Sequence, residues 1–357
     1  MELSFNRLLI FDGSHALHRA ICEPHLWEMR NTAGERTGGI YGVLQTIIKE
    51  SSAYDYFPVV VFDGHLSERR LSIYPNYKRH ADKQMLLENY EELTEAELLE
   101  QEHKREYNYQ REILKELLPA FGIPVIHLED WEGDDVIYAL TKMTKDSIVV
   151  SDDKDLIQLV HYSPERICRV RRGMRNEFVD QEYLKEHEIN INEFVACKAI
   201  VGDPSDNIPS ACFGVGEKTA SGLIKLVEYC NCHEMCFPED ETGLADICKK
   251  AEMSKRKAYL NFNEDQFYTN LLLMDLSLVD EELSESILSQ IRYEVNKQLN
   301  STDINAINRI LAELDIRTVM VNNLLDNRNK TVCAVPIESV GNINLREANS
   351  KNKFGLF

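Results

Sequence analysis

Carboxylates gather where apolar runs end. Arg7-Leu8-Leu9-Ile10-Phe11 leads into Asp12-Gly13, and Pro58-Val59-Val60-Val61-Phe62 leads into Asp63-Gly64. Ile123-Pro124-Val125-Ile126 is followed by Glu132, Asp134 and Asp135, and Ser147-Ile148-Val149-Val150 by Asp152, Asp153 and Asp155. Carboxylates delivered from four such runs to one place repel one another unless cations neutralise them. Oxygen-only ligands favour hard divalent ions, Mg²⁺ first and Mn²⁺ as its substitute. Helix capping explains any one of these acids taken singly. It does not explain Glu132, Asp134 and Asp135 within four residues, nor two acids flanking Lys154.

The runs themselves have the composition of strands. Between them, residues 38–52, 83–118 and 134–144 carry helical spacing. Alternating strand and helix predicts an α/β fold with a mostly parallel central sheet and helices on both faces. Ligand chemistry in such sheets collects at the C-terminal ends of the strands.

The chain has 357 residues, 43% of them hydrophobic and 28% charged, which excludes a mainly disordered protein. No apolar run approaches the roughly 20 residues needed to span a bilayer. Met1-Glu2-Leu3-Ser4 has no signal-peptide character, and nine cysteines outside a secretory context read as reduced thiols. The expected compartment is the cytoplasm. Sixty acids against forty lysines and arginines give a net charge of −20. Taken whole, that argues against a nucleic-acid-binding surface, so local clusters must decide.

After about residue 185 the pattern turns helical, at about 192–201 and 217–230. Between these segments runs Gly202-Asp203-Pro204-Ser205-Asp206-Asn207-Ile208-Pro209, then Ser210-Ala211-Cys212-Phe213, then Gly214-Val215-Gly216-Glu217-Lys218-Thr219-Ala220. Gly214 and Gly216 straddling one apolar residue before a helix let backbone N–H groups approach a phosphate. Lys218 and Thr219 add a cation and a hydroxyl.

Together these stretches resemble the 5′-nuclease family, the flap endonucleases and 5′→3′ exonucleases of bacteria and their phages, including the phage ribonuclease H type. The resemblance runs from residue 8 to about 225 through Phe11-Asp12-Gly13, Phe62-Asp63-Gly64, Tyr77-Lys78, Glu132-Gly133-Asp134-Asp135, Asp153-Lys154-Asp155-Leu156, the Gly202–Pro209 stretch and the glycine hairpin. It implies a PIN-like nuclease fold with a helical helix–three-turn–helix DNA-binding domain after it. The expected boundaries are 1–185 for the nuclease domain, with a helical arch at about 70–118, then 186–300, and a C-terminal segment and tail at 301–357.

The resemblance further implies two metal ions. Asp12, Asp63, Glu132, Asp134 and Asp135 would hold one, and Asp153, Asp155, Asp203 and Asp206 the other, with Asp134 or Asp135 near both. Asp134 and Asp155 are the acids expected to matter most for catalysis. Lys78 falls where the family places an active-site lysine at the foot of the arch, and Arg70 matches an upstream arginine. Tyr77, Arg79 and Lys83 join them as expected DNA contacts. The glycine hairpin would grip duplex phosphates, with K⁺ bound there. The implied activity is Mg²⁺-dependent 5′→3′ exonuclease and flap endonuclease action with ribonuclease H activity. It would remove RNA primers and 5′ flaps in replication and repair, on DNA with 5′ flaps or ends and on RNA–DNA hybrids. The expected protein is a monomer, phage-encoded or bacterial, assisted by a single-strand DNA-binding protein.

Three departures stand out. Four residues, Ser210 to Phe213, separate Ile208-Pro209 from the hairpin. Ala81 stands where a further arginine is common. Residues 82–106 carry nine acids and three strong bases, where a DNA-threading arch would be basic. That acidity is read as a solvated helix face, or as a screen against duplex. Arg166, Arg169, Arg171, Arg172 and Arg175 form a basic cluster open to three readings: phosphate contact, chiefly by Arg169, Arg171 and Arg172; a protein partner; or internal ion pairs. Cys230, Cys232, His233, Cys236 and Cys248 lack common zinc spacing and are expected to be core residues. Residues 262–276 are expected to form a packed helix. The ending Phe354-Gly355-Leu356-Phe357 is either frayed or, through Phe354, Leu356 and Phe357, a docking peptide for a sliding clamp. Two other readings compete with the nuclease: a catalytically silent DNA-binding protein of the same fold, and a small-molecule phosphatase. The hairpin and Tyr77-Lys78 speak against the phosphatase.

Overall fold

The structure is a computed structural model that describes residues 7–65, 67–79, 94–162, 166–232, 241–250, 260–278, 281–298 and 303–316. Seven strands form one sheet: β1 (Arg7–Asp12), β2 (Phe57–Phe62), β3 (Val125–His127), β4 (Asp146–Val150), β5 (His161–Tyr162), β6 (Ile167–Arg172) and β7 (Glu177–Val179). The described helices of more than one turn are α1 (Gly13–Cys22), α2 (Gly38–Ala53), α3 (Glu68–Ile73), α4 (Glu95–Ala120), α5 (Gly133–Met143), α6 (Gln181–Glu186), α7 (Ile191–Val201), α8 (Glu217–Cys232), α9 (Glu241–Lys250), α10 (Glu264–Met274), α11 (Glu281–Gln298) and α12 (Ile304–Glu313).

The chain divides into two units: Met1–His65, Asn89–Glu186 and Val279–Phe357 make the first, Leu66–Glu88 and His187–Leu278 the second. The described residues 67–79 group with the second unit, and the described part of the C-terminal region groups with the first. Its described helices pack back on the first unit, α11 against α5 and β3, and α12 against α4. Ile307, Ile310, Leu311 and Leu314 enter the same apolar core as Leu9, Phe11, Phe62 and Leu117.

In the first unit the sheet order is β3-β2-β1-β4-β6-β5, with β7 also on β6. β3, β2, β1, β4 and β6 are parallel; β5 and β7 run antiparallel to β6. The register sets Phe11 beside Val60 and Val150, so the ends of β1, β2 and β4 lie level. From β1 the chain steps one way to β2 and β3, then reverses to β4 on the other side of β1. Right-handed crossovers put helices before and after such a reversal on opposite faces. The reversal between β1 and β4 is the place where a doubly wound sheet opens a crevice.

The long helix α4 is fixed at its start and again in its middle. Thr94 and Glu97 form a reciprocal capping box at its start. Further along, the buried Gln110 side chain accepts from Ile40 N at 3.0 Å, satisfying an amide in the first turn of α2.

β6 explains the arginine cluster. With β4 on one side and β5 and β7 on the other, all six of its residues are buried. Arg169 reaches Asp146 at 2.6 Å and the Tyr56 hydroxyl, while Arg171 pairs with Glu50 at 3.2 Å and Arg172 with Glu177 at 3.2 Å. Phosphate contact by Arg169, Arg171 and Arg172 is thus corrected: their guanidinium groups lie in internal ion pairs. Removing one partner of a buried pair leaves an uncompensated charge, so Arg169→Ala is expected to cost about 3–5 kcal/mol. Urea unfolding measures this, and the salt dependence of DNA binding is expected to stay unchanged.

Candidate active site

Asp12 ends β1 and opens α1. One carboxylate oxygen caps α1 by accepting from His15 N at 2.9 Å, and the other accepts from the Ser151 hydroxyl at 2.8 Å. Ser151 follows β4 and also accepts from Asp153 N at 3.1 Å, so one hydroxyl ties the ends of β1 and β4 together. Asp153 in turn accepts from Asp155 N at 2.8 Å. Asp63, after β2, accepts from Gly133 N at 2.7 Å, while its own amide donates to the Ser14 hydroxyl at 2.8 Å. A Cβ at position 133 would stand 2.7 Å from that Asp63 oxygen, so only glycine allows the contact.

Glu132 and Asp135 are buried at the start of α5, and Glu132 occupies its N-cap position without a side-chain capping bond. Burial pushes Asp12 up to about 7, and the nearby charges of Asp63 and Asp153 push the same way against the His15 and Ser151 bonds. Asp134 is held well above the carboxyl range by desolvation and by the charges of Asp153, Asp12, Asp63 and Asp135. Burial lowers the proton affinity of His15, against the charges of Asp152 and Asp153. Asp152 itself is engaged by Arg19 at 2.7 Å and by Met174 N.

Among the described residues, no three carboxylate, imidazole or thiol groups stand in a ready-made ion cage. The chemistry of the donor set nonetheless fits a hard cation. The charges of Asp63 and Asp153 make Asp12 and Asp134 costlier to charge, and an ion with oxygen ligands relieves that repulsion.

The second unit holds the other expected residues. Asp203 accepts from Ser205 N at 2.9 Å and opens a single turn, Pro204–Asp206. Lys78 Nζ lies 3.8 Å from Asp206, and the Tyr77 hydroxyl 3.3 Å from the same carboxylate. Two expected site residues, the DNA contact Tyr77 and the catalytic Arg70, lie inside the unit. Tyr77 is buried with Ile208 and Leu273, and Arg70, only 4% exposed, donates from Nε to Leu273 O at 3.0 Å. Both pack the turn against α10. Arg79 is exposed. Lys83, the acidic stretch before Thr94, His233 and Cys236, and the tail with Phe354, Leu356 and Phe357 lie outside the described residues.

The four-residue departure before the hairpin is folded into the unit. Ala211 N bonds Ile200 O at 2.9 Å, Cys212 is buried with Val215 and Leu223, and Phe213 is 90% exposed. Gly214 has φ +74, and the space around Gly214 and Gly216 is open. α8 starts just beyond, with Lys218 exposed. Cys248 belongs to the same buried apolar cluster as Cys212.

The N-terminal resolvase-like domain of 5′-3′ exonucleases matches residues 7–188. The chain belongs to the 5′-3′ exonuclease family. Its members are nucleases, that is, phosphodiesterases. The 5′-3′ exonuclease of Aquifex aeolicus is 27% identical over 321 residues, which cover 88% of this chain and 93% of that protein. DNA polymerase I of Caldicellulosiruptor bescii is 30% identical over 266 residues, covering 71% of this chain but 28% of the polymerase. The chain thus spans little more than a quarter of that relative. Two solved structures share the fold of this family member. A bacteriophage T5 flap endonuclease complexed with DNA and metal ions has a TM-score of 0.54 at 20% identity, over 86% of this chain and 99% of that one. A zinc-bound T5 5′-exonuclease has a TM-score of 0.53 at 20% identity, over 81% and 99%.

Sequence reasoning about this exonuclease-family chain missed Ser14, His15, Ser151 and Tyr107. Tyr107 lies on α4, is hydrogen-bonded to Ser14 and senses the charges of Asp63 and Asp12. Ser14 and Ser151 were detectable as hydroxyls beside the acid motifs. Tyr107 carries no local signal, being distant in sequence from every acid it faces.

A pH dependence follows from Asp12. The unfolded carboxyl titrates near 3.8 and the folded one near 7, so the folded state holds the proton more tightly. This contribution is fully present below the unfolded value and is lost as pH rises through about 7. In EDTA, Asp12→Asn is therefore expected to gain stability relative to wild type as pH rises from about 5 to about 8. Urea midpoints across that range check it, and a flat difference would contradict the proposed burial of charge.

Proposed function

We propose that this protein is a divalent-metal-dependent 5′→3′ exonuclease and flap endonuclease. It would also cut RNA in RNA–DNA hybrids and so remove primers and flaps in replication and repair. The observation that carries this reading is the set of crowded carboxylates at the switch point of the sheet, where Asp12 and Asp134 are costly to charge. Membership of the exonuclease family supplies the reaction class.

In this reading Asp12, Asp63, Glu132, Asp134 and Asp135 hold one ion. Asp153, Asp155, Asp203 and Asp206 are the proposed ligands of a second. Mg²⁺ is the proposed metal, with Mn²⁺ able to replace it. Bound ions supply an activated water and neutralise the leaving oxygen in in-line attack on phosphorus. The chain's own groups prepare that chemistry. His15 N–H and Ser151 orient Asp12, and Gly133 N–H orients Asp63. Lys78 offers a cation to the scissile phosphate. Gly214, Gly216, Lys218 and Thr219 offer amides, charge and a hydroxyl to duplex phosphates, with K⁺ beside them, a grip that weakens with salt.

The T5 relative's complex with DNA and metal ions supports DNA as the substrate. Clamp docking through Phe354, Leu356 and Phe357, help from a single-strand DNA-binding protein, a monomeric state and a cytoplasmic location complete the proposal. No helix among the described residues is long and apolar enough to cross a membrane.

Cleavage of a 5′-labelled flap duplex and of an RNA–DNA hybrid, in Mg²⁺ or EDTA, tests the reading. Wild type is expected to cut near the 5′ end only with metal. Asp155→Ala should lose at least about a hundred-fold in rate while still binding the flap. Salt-sensitive binding with no cutting by wild type would favour a catalytically silent DNA-binding protein instead.

A further inference from the structure

Lys78 has a φ of 52° and Asn207 a φ of 58°, two of the five described non-glycine residues in the left-handed region. Side chains there persist only when their surroundings fix them. Both residues belong to one junction in the second unit, where the turn Asn76–Arg79 meets the loop that carries Asp203 and Asp206.

The junction is built around the Asn207 amide. Its Nδ2 donates to Asn76 O and to Arg79 O, each at 2.9 Å, so both of its protons are used. Those two carbonyls stand on either side of Lys78 in sequence. The Lys78 amide itself donates to Asp206 O at 2.8 Å, and Arg79 N closes the turn on Asn76 O at 3.0 Å. The backbone around Lys78 is therefore held at its own N–H and at the carbonyls before and after it. Beneath the turn, the Tyr77 ring is packed with Ile208 and Leu273. From this base Lys78 Nζ extends to 3.8 Å from Asp206 and 5.2 Å from the centre of the Tyr77 ring.

We infer that Asn207 is a positioning residue: it fixes the left-handed turn that aims Lys78, and so links the placement of that lysine to the loop bearing Asp203 and Asp206. The residue type suits the task. Asparagine enters the left-handed region more readily than most side chains, and its short amide supplies two donors. Aspartate has the shape without the donors, and glycine has the backbone freedom without either. The inference rests on the proposed role of Lys78 in phosphodiester cleavage.

Asn207→Gly is the informative variant, because glycine keeps the backbone angle and removes only the two bonds. Two measurements separate the possibilities. The first is single-turnover flap cleavage by wild type, Asn207→Gly, Lys78→Ala and the double variant. The expected result is a roughly ten- to hundred-fold rate loss for Asn207→Gly, of the kind that misplacing a reacting group produces. Flap binding should change little, and no further loss should appear once Lys78 is already alanine. Additive losses in the double variant, or an unchanged rate in Asn207→Gly or in Lys78→Ala, would overturn the inference.

The second measurement needs no activity: trypsin cleavage after Lys78 and Arg79 in the full chain, at matched thermal stability. Asn207→Gly is expected to be cut there several-fold faster. If wild type proves inactive yet this acceleration appears, the nuclease reading fails while the pinned turn stands. If wild type is active and cleavage after Lys78 is no faster in the variant, the pinning itself is refuted.

Discussion

The structure depends on a repulsion. A parallel sheet that reverses direction between β1 and β4 brings several strand ends to one edge, and here those ends carry carboxylates. Burying Asp12 there pushes its proton affinity up to about 7, and Asp63 and Asp153 add to the cost of charging it. Much of the local sequence can be understood as compensation. The first-turn amide of α1, the Ser151 hydroxyl and the Gly133 amide each donate to a carboxylate that would otherwise lack partners on that oxygen. Such donors orient the side chains, and the charging cost that remains on Asp12 and Asp134 is what a cation would relieve.

The frame that bears this strain is stiffened by charge of the opposite sign placed inside. Arg169 and Asp146, with Tyr56, and Arg171 with Glu50 are ion pairs within the first unit, on the strand next to β4. These pairs sharpen the meaning of the net charge of −20. Three of the five clustered arginines, Arg169, Arg171 and Arg172, are used in internal ion pairs. In the proposed function, the cations that serve phosphate are instead Lys78 and Lys218. Gln110 and the C-terminal helices act in the same direction: they join α4 to α2 and close the core with residues distant in sequence.

The second unit solves a different problem, that of holding one flexible lysine. Lysine loses much rotamer freedom on being fixed, and a side chain alone cannot fix it. Here the backbone is fixed instead, in a conformation few residues adopt, by an asparagine that is itself in that conformation. Gly202, with φ +75 and no room for a Cβ beside Ile208 O, opens the same loop. Burial of Arg70 and Tyr77 beneath the turn gives it a rigid floor.

Four of the seven strands, β1 to β4, the acids that follow them and the change of pattern after residue 185 were legible in the sequence. They follow from period-two and period-3.6 burial and from short motifs, which are local properties. The exonuclease family was legible for the same reason, because its motifs are short strings in a set order along the chain. What the sequence did not determine was where charge faces. Alternation along Ile167–Arg172 suggests one exposed face, but neighbours on both sides bury the whole strand, and strand neighbours are chosen by the tertiary fold. The same reason hid Arg70 and Tyr77, the return of α12 to the first core, the Tyr107–Ser14 contact and the role of Asn207. Each depends on a partner far away in sequence, and only the folded chain decides which distant groups meet.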